Sequence, residues 1–170
     1  MTLTPLLEAS FAIKLHVLAA TLAFLLGGLV LFRRKGGPYH RLAGRVWVGL
    51  MLVVALSSFF IHMIRLVGPW SPIHLLSIAT LWYLYRGVQA ARQKRIPHHR
   101  GIMQGLFLGA LVGAGLFTFL PGRIMHEVFF GGSQPWIGVG VAAALVVAVA
   151  LLLCKMLRDS SLLSRFARAR

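Results

Sequence analysis

Phe11–Phe32, which reads FAIKLHVLAATLAFLLGGLVLF, decides the fold. Only Lys14 and His16, both near its start, can carry a charge. A helix rises about 1.5 Å per residue, so a run of this length covers the roughly 30 Å of bilayer hydrocarbon. Arg33-Arg34-Lys35 then closes it with three cations.

Working outward, four more apolar runs have spanning length, near Val46–Ile64, Ile73–Tyr85, Gly101–Leu120 and Trp136–Met156. The third is the least apolar and extends to Ala91 if Arg86 snorkels toward headgroups. Hydrophobic residues make up 58% of the chain and charged residues 12%, against roughly 25% charged in soluble domains. Lipid is the natural solvent for such a chain. The net charge of +15 does not indicate nucleic acid, because the cations are segmented between apolar runs. Met1-Thr2-Leu3-Thr4 and Glu8 lack the basic start of a cleaved signal peptide, so the first run is expected to stay in the mature protein. The single cysteine, Cys154, reads as a small hydrophobe. The expected fold is an all-α integral membrane protein of about five transmembrane helices, one domain over 1–170.

Basic residues set the orientation. Arg33, Arg34, Lys35, Arg41 and Arg45 follow the first span; Arg86, Arg92, Lys94, Arg95 and Arg100 follow the third; Lys155, Arg158, Arg165, Arg168 and Arg170 follow the fifth. That is 5+5+5=15 on one side, against Lys14, Arg65 and Arg123 on the other. The N-terminus is expected outside and the C-terminus in the cytoplasm. Gly36-Gly37-Pro38 and Ile96-Pro97 place the starts of the second and fourth helices in the loops, ahead of the apolar runs.

The first four spans read as one hairpin used twice, over about 11–66 and 73–126, with an extra helix at about 136–157. His16 and His40 are 40−16=24 apart; His74 and His99 are 99−74=25 apart. Such a repeat builds a four-helix core around an axis normal to the membrane. His16, His62, His74 and His126 map to the outer boundary, and His40, His98 and His99 to the inner one. Each alone reads most simply as an interfacial ring. Four on one side, with repeat symmetry, point to a shared site.

Helical phase puts His40, Gly44, Met51, Ala55, Ser58 and His62 on one stripe of span two, and Ala20, Ala23 and Gly27 below His16 in span one. Gly101, Gly105, Gly109 and Gly113 in span four read as a helix-packing seam. His98 lies over that row and His99 off it, although the repeat selects His99.

Two histidines on facing helices can ligate haem iron axially. His16 with His74 would hold an outer haem b, and His40 with His98 or His99 an inner one, making a carrier of electrons across the membrane. Arg65, Arg123, Arg41 and Arg100 are available for propionates. The rival chemistry is copper or zinc held by His16, His62, His74 and His126, with Met63 and Met125 adding thioethers that suit copper. A third reading is an accessory subunit with no cofactor and interfacial histidines. A quinone or a redox protein is the expected partner of the first reading, beside the lipid bilayer. No nucleophile elbow, complete zincin signature or phosphate loop is present. No acid lies inside a span, which disfavours carboxylate proton transport.

Tyr39-His40-Arg41-Leu42-Ala43-Gly44-Arg45, Ser71-Pro72-Ile73-His74, His99-Arg100 with Met103, and Pro121-Gly122-Arg123 together resemble an uncharacterised family of small bacterial membrane proteins, a domain-of-unknown-function family. That resemblance implies about four core spans over residues 11–126 and an inner-membrane location, and implies no activity. More remotely, the histidine pattern is similar to two-haem transmembrane cytochromes b, whose ligands come in pairs from alternate core helices. The inner histidines here lie in a first helical turn, shallower than in that pattern.

The partition of cations predicts that a reporter fused after Arg170 reads cytoplasmic and one inserted at Gly131–Gln134 reads external. The opposite result at both positions would reverse the orientation.

Overall fold

Prolines mark where the helices begin, since a missing N–H costs nothing in a first helical turn. The computed structural model describes residues 2–32, 35–61 and 72–130, with isolated positions between 136 and 147. Short α1 (Thr4–Leu7) carries Pro5 in its first turn and leads to α2 (Phe11–Phe32). α3 (Pro38–Ser58) starts at its proline, after Gly37 in extended conformation. α4 (Pro72–Arg92) starts likewise, and α5 (Ile96–Gly105) has Pro97 in its first turn. α5 runs on through a π-helical stretch, Leu106–Gly113, into α6 (Ala114–Phe117); α7 (Ile124–Phe130) follows. All regular structure among the described residues is helical.

α2, α3 and the continuous helix Ile96–Phe117 are long and apolar enough to cross a bilayer. α4 is as long, at 21 residues, but less apolar, and it carries Arg86 and Arg92. The Arg86 guanidinium lies 5.8 Å from the centre of the Trp82 ring. Leu18, Leu22, Leu25 and Leu29 form an exposed stripe along α2, as a lipid-facing surface requires. The fifth expected span lies almost wholly outside the described residues.

Leu3–Gly115 forms one compact unit. Within it α2 packs on α3, α3 on α4, α4 on α5 and its π-helical continuation, and that continuation back on α2. The helices therefore form a ring in which α2 stands diagonal to α4, and α3 to α5. The α4–α5 turn is closed by Lys94 in the left-handed conformation (φ 58°), which lets the Arg95 N–H reach the Ala90 carbonyl at 2.9 Å. The residues from Leu116 on, with Thr2, belong to a second unit. There the Thr2 N–H donates to the Val128 carbonyl at 3.2 Å, and Phe119 packs edge-on against Phe129 and Phe130.

The core of the first unit gathers Ala23, Trp47, Met51, Leu84, Leu106, Phe107 and Leu111. Trp47 donates its indole N–H to the Ala23 carbonyl at 2.9 Å. Gly27, one turn further along α2, makes this approach possible: a Cβ there would stand 2.6 Å from Trp47 Nε1 and 2.7 Å from the Phe107 ring. Gly87 on α4 is equally tight, against the Met103 side chain. The Gly101–Gly113 row is not a packing seam within this unit. All four glycines are exposed, and a Cβ at Gly101, Gly105 or Gly109 would meet nothing within 4 Å. α5 and its continuation turn Leu106, Phe107 and Leu111 to the core and leave the glycines on another side.

Replacing Gly27 with Leu is expected to cost about 1–3 kcal/mol by overpacking, whereas Gly105→Leu leaves stability nearly unchanged. Thermal melts in detergent test this; equal loss in both variants would contradict the packing.

Candidate functional site

At one end of the ring, polar side chains from three helices form a layer in an otherwise apolar interior. His16 stands near the start of α2, Ser57 and Ser58 end α3, and His74 and Ser77 lie in the first turns of α4. His16 Nδ1 is 3.0 Å from the Val54 carbonyl oxygen and 3.0 Å from Ser57 Oγ. A carbonyl only accepts, so Nδ1 carries the proton and Nε2 keeps its lone pair. The Ser57 hydroxyl donates to the same carbonyl at 3.1 Å. The Ser58 and Ser77 hydroxyls are hydrogen-bonded to each other, with the Ala55 carbonyl oxygen 2.7 Å from Ser58 Oγ and the Ile73 carbonyl oxygen 2.9 Å from Ser77 Oγ, so that one hydroxyl donates to its partner and the other to its own carbonyl. His74, one turn before Ser77, is 3% exposed. Its ring lies parallel to that of Phe59, 5.7 Å between centres. Buried polar groups demand partners, and the serines are satisfied by main-chain carbonyls and by each other.

The opposite end repeats one element of this arrangement. His99 Nδ1 is 2.9 Å from the Gly87 carbonyl oxygen, which again fixes the proton on Nδ1. His40, in the first turn of α3, is half-buried and within electrostatic reach of His99 and Lys35. His98 is exposed and borders a groove between α4 and α5. Of the two adjacent histidines, His99 is the one turned to a neighbouring core helix. Helical phase sets His98 over the glycine row, and that row does not face the core of this unit.

The structure thus gathers His16 and His74 at one end, on diagonal helices, and His40 and His99 at the other end, on the other diagonal. His126 is 2% exposed in the second unit, beside Phe130, and its Nε2 has no hydrogen-bond partner among the described residues. Arg123, in the same unit, lies 4.8 Å over the Phe117 ring. Arg41 and Arg100 are exposed. His62 and Arg65 lie outside the described residues. Among the described residues no three His, Cys, Asp or Glu side chains gather as a metal site. The sequence reading missed Ser57 and the Val54 and Gly87 carbonyls. A pair of serines in an apolar run was the available signal for Ser57; nothing local marks a carbonyl.

The chain belongs to the family described as Predicted membrane protein (DUF2306), whose profile matches residues 13–155. It is thus a member of a membrane protein family of unknown function. Neither a curated protein nor a solved structure matches it.

The Ser58–Ser77 contact predicts non-additive costs. In a double-mutant cycle of Ser58→Ala and Ser77→Ala, the coupling is expected at about 0.6 kcal/mol, as for polar pairs between membrane helices. Strictly additive unfolding costs would mean that the two hydroxyls do not meet.

Proposed function

We propose that this protein is a b-type haem electron carrier of the bacterial inner membrane, with its N-terminus outside and C-terminus in the cytoplasm. His16 with His74 would hold the outer haem, and His40 with His99 the inner one. Bound haem iron supplies a one-electron couple at each position. One observation carries the reading: His16 and His99 each direct Nδ1–H to a main-chain carbonyl of an adjacent helix. Ligating histidines are held this way, because the outer hydrogen bond fixes the tautomer and raises the basicity of the other nitrogen. Nε2 is then left as the donor.

The residues around the pairs suit the same role. His74 is kept in one plane by Phe59. Ala19 and Ala23 on α2 and Ala55, Ser57 and Ser58 on α3 are small and buried, so the outer half of the ring carries little bulk. The orientation rests on the fifteen cations of the first and third loops and the tail. A lipid-soluble quinone or a redox protein is the partner such a carrier needs.

The protein purified from haem-replete cells should show sharp visible bands on reduction. His16→Ala and His99→Ala should each remove about half of them while the helical content is kept. Unchanged spectra in both variants would overturn the assignment. So would a colourless protein that instead retains copper or zinc.

A further inference from the structure

Between α4 and the α5 continuation runs a groove of about 570 Å³. It lies wholly within the first unit and takes no part in the histidine pairs. Its floor on one side is Gly101, Gly105 and Gly109, where no side chain rises and a built Cβ would meet nothing within 4 Å. A four-residue step on an α-helix overshoots a full turn by about 40°. The wider π-helical turn that begins at Leu106 works against this drift and helps keep Gly109 under the groove. The other wall is α4, with Leu76, Thr80 and Tyr83 at helical spacing. Thr80 is 5% exposed and borders the groove. Its hydroxyl makes no hydrogen bond among the described residues, unlike Thr21, which donates to the Val17 carbonyl one turn back. An apolar wall carrying one hydroxyl that opens on the groove suits a ligand with an acceptor at that depth. His98 stands at the groove's inner end.

These features select a chemistry. A bare glycine floor admits a flat ring against the helix backbone. The Thr80 and Tyr83 hydroxyls can donate to ring oxygens. The apolar remainder of the groove suits an isoprenoid tail. We propose that this groove binds the ring of a lipid-soluble quinone, with Thr80 donating to a quinone carbonyl oxygen and the Gly101–Gly109 row forming the flat face beneath it. The choice of a quinone over other flat acceptors rests on the reading of the protein as an electron carrier.

The test uses the full-length protein in detergent and a short-tailed ubiquinone, followed by titration calorimetry beside the visible spectrum. Thr80→Val keeps the shape and removes the hydroxyl; binding is expected to weaken on the order of tenfold, as the loss of one hydrogen bond to a buried oxygen implies. Gly105→Leu fills the floor, and binding should be lost while the melting temperature and any haem bands stay as in the wild type. Quinone binding that both variants leave intact would overturn the site. So would equal binding of a hydrocarbon of the same size without the carbonyls, which would make the groove a lipid seat. If Gly105→Leu instead turns a dimer into a monomer and leaves quinone affinity unchanged, the groove is a contact between copies and the proposal fails. Haem bands without quinone binding would overturn this site and leave the electron-carrier reading intact. Quinone binding lost in both variants, in a protein without haem bands, would support the site and overturn that reading.

Discussion

Deep in an apolar bundle, the Trp47 indole N–H meets the Ala23 carbonyl, and it reaches it because Gly27 has no side chain. In lipid there is no water to satisfy a buried N–H, so this bond fixes how α2 and α3 lie against each other. The rest of the first unit follows from it. With α2 and α3 held in this register, His16 falls opposite Val54 and Ser57 at one end. Phe107 closes on the same glycine from the α5 continuation, which completes the ring. Ring closure in turn makes α2 and α4 one diagonal and α3 and α5 the other.

The diagonals give the histidines their meaning. Neighbouring helices pack too closely for a planar group to stand between them, whereas diagonal helices face each other across the bundle axis. His16 and His74 share one diagonal at one end, and His40 and His99 the other diagonal at the other end. Hydrogen bonds to carbonyls of the adjacent helix orient His16 and His99. The groove on the α4–α5 face is separate from both pairs and is built from different material: bare backbone, a threonine hydroxyl and an apolar wall.

Much of this was legible in the sequence because lipid imposes simple rules. Phe11–Phe32 is helical over the whole stretch that hydropathy marked. Pro38 and Ile96-Pro97 begin helices ahead of their apolar runs, and α4 passes Arg86 to end at Arg92. The stripe of Met51, Ala55 and Ser58 is buried, as its phase implied. The glycine row misled, because spacing reports that residues share a face and not what that face meets. Gly27 and Gly87, which lie outside that row, are the close contacts. The π-helical stretch has no periodic signature in an apolar run, so any phase carried through Leu106–Gly113 drifts. The two carbonyls that hold His16 and His99 are invisible to residue patterns altogether.

In the proposed function, the diagonal histidine pairs would hold haem iron. Electron paramagnetic resonance of the oxidised, full-length protein tests it most directly, because two imidazoles on one ferric haem give a low-spin signal. Two such signals per chain are expected, one lost with His16→Ala and the other with His99→Ala. A haem-replete protein that shows only high-spin iron, or no iron signal at all, would contradict it.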